Sequence, residues 1–318
     1  MKKKILFGLI GLVVTLVFVS CGSELVSSNP DIVRFSTVAN RSARMVSATS
    51  TWVTGDKIGV YTVPNSGDIF SSTLEKNVEY TAGSGGATTA TFTSTTPIYW
   101  PNDDAAVNFI VYYPYSASVT TATGSVDAQL PINLAGNQTG KVNDLDILWG
   151  KTGSLQKSVN SGSNVAVTVD HKLARFKITA TAGEGLTYSN LAGFTTTLIG
   201  AKTTANLNLS DGSLADVDTV ANITANVQSG GTAVTDEKVI YEAIVMPDAA
   251  NNVKDSFKIE FVDASGNIYR WEAKNLAALN LTAGKEYQLA LTLKRKDISF
   301  DVEVTGWTVV DLGPGDAT

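Results

Sequence analysis

Apolar and polar residues alternate one for one along many short stretches of this 318-residue chain, and no stretch carries a persuasive helical period. A period of two sends successive side chains to opposite faces of a strand, so each stretch reads as a strand with one face on a core. In the first half these are "IVRFSTV" (32–38), "KIGVYTV" (57–63), "TATFT" (89–93) and "VNFIVYY" (107–113). In the second half they are "VAVTV" (165–169), "ARFKITATA" (174–182), "KVIYEAIVM" (238–246), "FKIEFVD" (257–263), "NIYRWEA" (267–273), "YQLALTLK" (287–294) and "ISFDVEV" (298–304). Turn signals lie between them: "GSGG" (83–86), "DGS" (211–213), "SGG" (229–231), "ASGN" (264–267) and "AGK" (283–285). Short strands with regular turns predict an all-β chain of β-sandwiches. The polar stretch "GKTGSLQKSVNSGSN" (150–164) is the expected domain junction.

The front of the chain is of another kind. Lys2, Lys3 and Lys4 precede an apolar run from Ile5 to Val19, and small Ser20 then precedes Cys21. This is the layout of a secretory signal peptide, shorter than the roughly 20 residues that span a bilayer. Cys21 is the single cysteine, so it has no partner for a disulfide within the chain. Phe18-Val19-Ser20-Cys21 reads as a lipobox, with Cys21 acylated after cleavage before it; Phe18 stands where lipoboxes usually carry Leu. Residues 1–20 are then signal peptide and residues 21–30 a tether between lipid and fold. Without residues 1–20, 21 basic residues face 30 acidic ones, a net charge of −9. That balance argues against nucleic-acid partners, which need basic patches. About 300 mature residues favour two domains, expected at 31–158 and 159–318.

No constellation nominates a catalytic residue, cofactor site or metal site. A Ser-His-Asp hydrolase needs a base beside its nucleophile. His171 is the only histidine, no G-x-S-x-G surrounds a serine, and the residues flanking His171 are strand-like, so it is expected to be structural. The acids of "NDD" (102–104) and "NDLD" (143–146) fit no calcium loop and are expected to be solvated. "GSGG" (83–86) lacks the Lys-Ser/Thr of a phosphate loop and reads as a hairpin turn. The aromatics of "PIYWP" (97–101) and "YYPY" (112–115), notably Tyr99, Trp100 and Tyr112 to Tyr115, suit either a core or a sugar-stacking platform, with the core reading favoured.

Two segments read as parts of an assembly. In "ISFDVEVTGWTVVDL" (298–312), Ile298, Phe300, Val302 and Val304 share one face, and Trp307 and Val309 come after Gly306. Such a strand completes its own sheet or adds to a neighbour's. At the other end, the first strand is followed by Arg41 and Arg44 in a Ser/Ala/Asn context, a candidate proteolytic site. Removing the strand before that site bares sheet edges, and bare edges recruit strands.

Taken in order, the lipobox, "TWVTGDKIGVY" (51–61), "NVEYT" (77–81), "PIYWP", "VNFIVYYPY" (107–115), "DLDILWGK" (144–151), "VAVTVDHKLARFKI" (165–178), "YEAIVMP" (241–247), "LTAGKEYQLALTL" (281–293) and "ISFDVEVTGW" (298–307) cover nearly the whole mature chain. As a set they resemble the fimbrillin family, the lipoprotein subunits of type V pili. The resemblance implies two transthyretin-like β-sandwich domains in tandem and export to the outer membrane on a Cys21 lipid. It implies trimming after Arg44, with Arg41 and then Arg34 as further candidates. It further implies partnership with other fimbrial subunits by strand addition, the donor being Ile298 to about Leu312. Adhesion to a host or bacterial surface ligand is the expected role, non-enzymatic and without cofactor. The alternative is a surface lipoprotein that binds glycans, or a tip or anchor adhesin that does not polymerise.

Overall fold

The computed structural model describes residues 31–39, 51–65, 69, 74–119, 128–215, 219–228, 238–247, 257–272, 281–295, 298–303 and 315–317; for 38, 39, 298–303 and 315–317 only the backbone is described. Among them β-strands dominate, and the helices are two single turns, α1 (Lys157–Asn160) and α2 (Tyr188–Ala192). The all-β expectation therefore holds.

The first sheet closes on itself. Its strands are β1 (Arg34–Ala39), β2 (Lys57–Pro64), β3 (Glu75–Ala82), β4 (Thr89–Thr93), β5 (Val107–Tyr113), β8 (Leu148–Lys151) and β9 (Asn164–His171), in the order β1-β4-β3-β2-β5-β8-β9. The ring is closed by β1, which lies antiparallel to β4 and parallel to β9. "GSGG" joins β3 to β4, as a hairpin turn should; Gly86 has a φ of +88°, which a residue without Cβ adopts freely. Val33, Phe35, Trp52, Ile58, Val60, Tyr80, Phe92, Trp100, Phe109 and Val111 are among the side chains that fill the barrel. Gly150 lets β8 approach β9, since a Cβ there would lie 2.1 Å from the Thr168 carbonyl oxygen.

Between β5 and β8 the chain crosses to other sheets through β6 (Gln129–Asn133) and β7 (Gly136–Asn137). After β9 come β10 (Ala174–Ala182), β11 (Thr195–Lys202), β12 (Thr204–Asn208), β13 (Leu214–Ala215), β14 (Val220–Thr224), β15 (Asn226–Val227), β16 (Lys238–Val245), β17 (Lys258–Val262), β18 (Ile268–Glu272), β19 (Glu286–Leu293), β20 (Ile298–Glu303) and β21 (Gly315–Ala317). They form a six-stranded sheet β15-β16-β10-β19-β20-β21, a five-stranded sheet β18-β17-β11-β14-β7 and a small sheet β13-β12-β6. The two larger sheets share one core, where Tyr241 of β16 meets Phe261 of β17 edge-on at 5.6 Å. The same core takes in Ile110 and Tyr112 of β5 and Tyr61 and Val63 of β2. Both faces of β5 are buried, so this strand is a wall common to both cores.

One expectation is corrected. Residues 150–164, read as the domain junction, join β8 to β9, which are neighbours in the closed sheet. The chain passes from that sheet to the six-stranded one at Lys172–Leu173, between β9 and β10. A polar, Gly/Ser-rich composition marks a solvated loop, and it does so equally within a sheet and between domains.

Two buried polar groups tie the second half together. The Gln138 amide donates to the Leu134 and Ile244 carbonyls and accepts from the Ile244 N–H, fixing the turn after β7 to β16. Arg175 of β10 pairs with Glu242 of β16 through Nη2 and with Glu286 of β19 through Nη1 at 3.1 Å, crossing three neighbouring strands.

Candidate functional site: the first strand and its slot

The first strand is held on both sides. Arg34 to Ala39 run beside Asn164 to Val169 of β9, and Phe35 to Val38 beside Phe92 to Thr89 of β4. The pairing continues upstream of β1 along the "PIYWP" segment. There the Val33 N–H donates to the Ile98 carbonyl and the Trp100 N–H to the Asp31 carbonyl, each at 2.9 Å. The alternation of the sequence is expressed directly: Val33, Phe35 and Thr37 are fully buried, and Ile32, Arg34 and Ser36 are half-exposed.

Phe35 is the centre of this fit. Its ring meets Tyr80 edge-on at 4.9 Å and Phe109 at 5.1 Å. The Tyr80 hydroxyl, pushed up to about 12 by burial, donates to the Val33 carbonyl at 3.0 Å and accepts from the Ile98 N–H at 2.8 Å. It therefore spans the start of β1 and the "PIYWP" segment. Near that end Lys157 pairs with Asp31 at 2.7 Å. Burial of Val33 and Phe35 favours the closed barrel by roughly 1.5–3 kcal/mol each. Thr37 opposes this in part, because its buried hydroxyl has no hydrogen-bond partner.

If β1 were absent, β4 and β9 would face each other across two strand spacings, about 9.5 Å, with two rows of unpaired N–H and C=O groups. Phe109 and Tyr80 would line the gap. Arg41 and Arg44 lie just after β1 in the sequence and outside the described residues, as does Cys21.

At the far end of the chain, β20 pairs antiparallel with β19, from Ile298 opposite Leu293 to Glu303 opposite Gln288. It is flanked on its other side by β21, so it is an inner strand of its sheet. The backbone of Ile298, Phe300 and Val302 thus has a place in its own subunit, while Val304, Trp307 and Val309 lie outside the described residues.

The other candidate residues are part of the packing. Trp100 is 2% exposed and meets Phe109 edge-on at 5.5 Å. Tyr112 is fully buried, its hydroxyl donating to Asn77 Oδ1 at 2.6 Å, and Tyr113 is 5% exposed. Tyr99 alone of these four is exposed, at 54%. Burial takes Trp100, Tyr112 and Tyr113 out of any sugar-stacking face, while Tyr115 is half-exposed.

His171 is buried at the end of β9, with Nδ1 2.6 Å from Asp146 Oδ1. Asp146, expected to be a solvated loop acid, is 1% exposed. The pair ties the loop before β8 to the end of β9. Among the described residues no group of three or more His, Cys, Asp or Glu side chains is placed to hold a metal ion.

Sequence reading did not single out Tyr80 as a clamp, nor Lys157 as the partner of Asp31. The first lies in "NVEYT", a segment that carries the family resemblance and no other local signal. The second sits within the polar stretch read as a junction, and nothing local to it signals the contact.

The fold and the slot define an all-β, two-core protein closed by its own first strand. The fimbrillin-like family model matches residues 43–307, and the chain belongs to that family. A Bacteroides uniformis protein assigned as fimbrium subunit Fim1C is 25% identical over 263 residues, covering 81% of this chain and 79% of that protein. A crystal structure from Bacteroides uniformis, of a protein assigned to cell adhesion, superposes with a TM-score of 0.66 at 24% identity, covering 87% of this chain and 98% of that one. A second such structure, from Bacteroides ovatus, gives a TM-score of 0.61 at 16% identity, covering 88% and 99%. Both share the fold.

Proposed function

We propose that this chain is a structural, non-enzymatic subunit of a cell-surface fimbria that supports adhesion. It is exported as an outer-membrane lipoprotein anchored through Cys21. Its partners are other fimbrial subunits, and its two cores are tandem transthyretin-like units. Cleavage after Arg44 or Arg41 removes the lipid, the tether and β1 together. The slot so opened receives the C-terminal segment of another copy, drawn from Ile298 to Leu312.

The observation that carries this reading is the position of β1. It is the first strand of the closed barrel, it pairs on both edges, and the arginines come directly after it in sequence. Family membership and the fimbrial assignment of the Bacteroides uniformis relative support the same reading. A β1 held by strand pairing, by the buried Val33 and Phe35, by the Tyr80 hydroxyl and by the Lys157–Asp31 pair is a plug that its own barrel specifies but does not covalently keep once the adjoining loop is cut.

Limited trypsin treatment of the purified precursor tests it. The expected result is loss of the segment up to Arg41 or Arg44, followed by ladders that persist in SDS without heating. A fully trimmed protein that stays monomeric would contradict strand exchange.

A further inference from the structure

The slot and the tail specify how one fits the other. Building on the strand-exchange reading, we propose that residues 305–311 fill the slot, that they enter with polarity opposite to β1, and that Asp311 takes the place of Asp31 beside Lys157 of the receiving copy.

The pattern of the slot is known from its present occupant. Reading along β1, it takes an acid paired with Lys157 (Asp31), then the buried Val33, Phe35 and Thr37, at every second residue. Read against the chain direction, the tail offers the same succession at the same spacing: Asp311, Val309, Trp307, Thr305. The residues between them also correspond, with Val310, Thr308 and Gly306 standing for Ile32, Arg34 and Ser36. Val, Thr and Asp recur in their own positions and an aromatic ring replaces an aromatic ring.

The same-direction fit is poorer on two counts. It puts Glu303 beside Lys157, but Glu303 is already in register with Gln288 on its own β19. It also puts Thr305 where the fully buried Val33 sits. The reversed fit leaves β20 paired with β19 on the donating subunit, uses only residues beyond it and draws β21 off its outer edge. Val304 alone then separates the two pairings, so one nearly continuous strand runs from the donor's six-stranded sheet into the receiver's barrel.

Reversal also improves the pairing. β1 lies parallel to β9 along six residues, Arg34 to Ala39, and antiparallel to β4 along four, Phe35 to Val38. An incoming strand of opposite polarity is antiparallel to β9 at positions 34–37 and parallel to β4 at positions 35–37. Antiparallel pairing is the more stable per residue. Residue for residue, a reversed strand therefore pairs better along β9 than one entering in the direction of β1.

Engineered disulfides distinguish the two polarities. In the reversed fit Thr308 takes the place of Arg34, opposite Asn164; in the same-direction fit it takes the place of Ser36, opposite Ala166. Asn164 and Ala166 are both exposed, so cysteine is tolerated at either. Directly opposed residues are within disulfide reach, and diagonal ones, at about 7–8 Å, are not. The full chain carrying Cys21→Ser and Thr308→Cys, with either Asn164→Cys or Ala166→Cys, is trimmed with trypsin and oxidised. Expected is a ladder that survives boiling in SDS without reductant for the Asn164→Cys pair alone, and that collapses on reduction. Cross-linking of the Ala166→Cys pair, alone or equally, overturns the polarity. Ladders that form before boiling with neither pair cross-linked overturn the assignment of residues 305–311 to the slot. If even the parent chain forms no ladder after complete trimming, it is strand exchange itself that fails.

Discussion

Replacing Phe35 with alanine is expected to cost the untrimmed precursor about 3–5 kcal/mol of stability, and the trimmed polymer nothing. The first half of that result comes from packing. Phe35 is fully buried and holds its ring edge-on to both Tyr80 and Phe109, in a barrel whose other wall is the equally rigid Trp100. A neighbourhood of aromatic rings anchored on separate strands collapses poorly around a deleted side chain, so the cavity persists and the cost falls in the range typical of large-to-small core changes. The second half comes from the proposed exchange, because residue 35 leaves with β1. Urea unfolding of precursor and polymer, each with and without Phe35→Ala, measures both. An equal loss in the two forms would mean that β1 stays in the barrel after assembly.

Arg175→Met is expected to destabilise the protein by about 3–5 kcal/mol at neutral pH, with the loss shrinking as the solution is acidified. Arg175 is the cation shared by Glu242 and Glu286 across β16, β10 and β19. Burial pushes the Glu242 carboxyl up, and the Arg175 guanidinium offsets part of that rise. A carboxyl whose folded-state pKa lies above its unfolded value holds its proton more tightly in the folded protein. Its contribution to stability is therefore greatest at low pH and declines as pH rises from the ordinary glutamate value through the raised one. Removing the guanidinium raises Glu242 further, which deepens the loss at neutral pH and lets protonation repair it. Adding Glu242→Gln to Arg175→Met is expected to recover most of the neutral-pH loss and flatten the pH dependence. Urea midpoints across pH 4–8 read this directly; a loss independent of pH would mean that the ion pair is not what Arg175 supplies.

The elements most legible in the sequence were those whose pattern is local. "TATFT", "VNFIVYY" and "ARFKITATA" coincide with β4, β5 and β10 residue for residue. Alternation needs no knowledge of the partner strand, and Gly and Asx turns punctuate it. The hidden part was which strand pairs with which. "VAVTV" reads as a strand, but nothing in it says that β9 lies parallel to β1, more than a hundred residues upstream, rather than starting a second domain. Lys157 and Asp31 are likewise far apart in sequence, as are His171 and Asp146, so a carboxylate that looked solvated is buried on a histidine. "VNFIVYY" did carry one further clue: a run with almost no polar residue is buried on both faces, and β5 lies between the two cores.

For the site, the arginines, the first strand and the alternating tail were visible because each is a short, contiguous pattern. The slot was not, since it is made by Tyr80, Phe109 and the 98–100 backbone, brought together only by closure of the barrel.

Strand exchange requires above all that the assembled form lack its first strand. N-terminal sequencing of polymeric protein taken from the cell surface tests this most directly. The predicted result is a fresh amino terminus immediately after Arg41 or Arg44, with no peptide from residues 31–39 present. Polymer that begins at a lipid-blocked Cys21, or that retains residues 31–39, would contradict it.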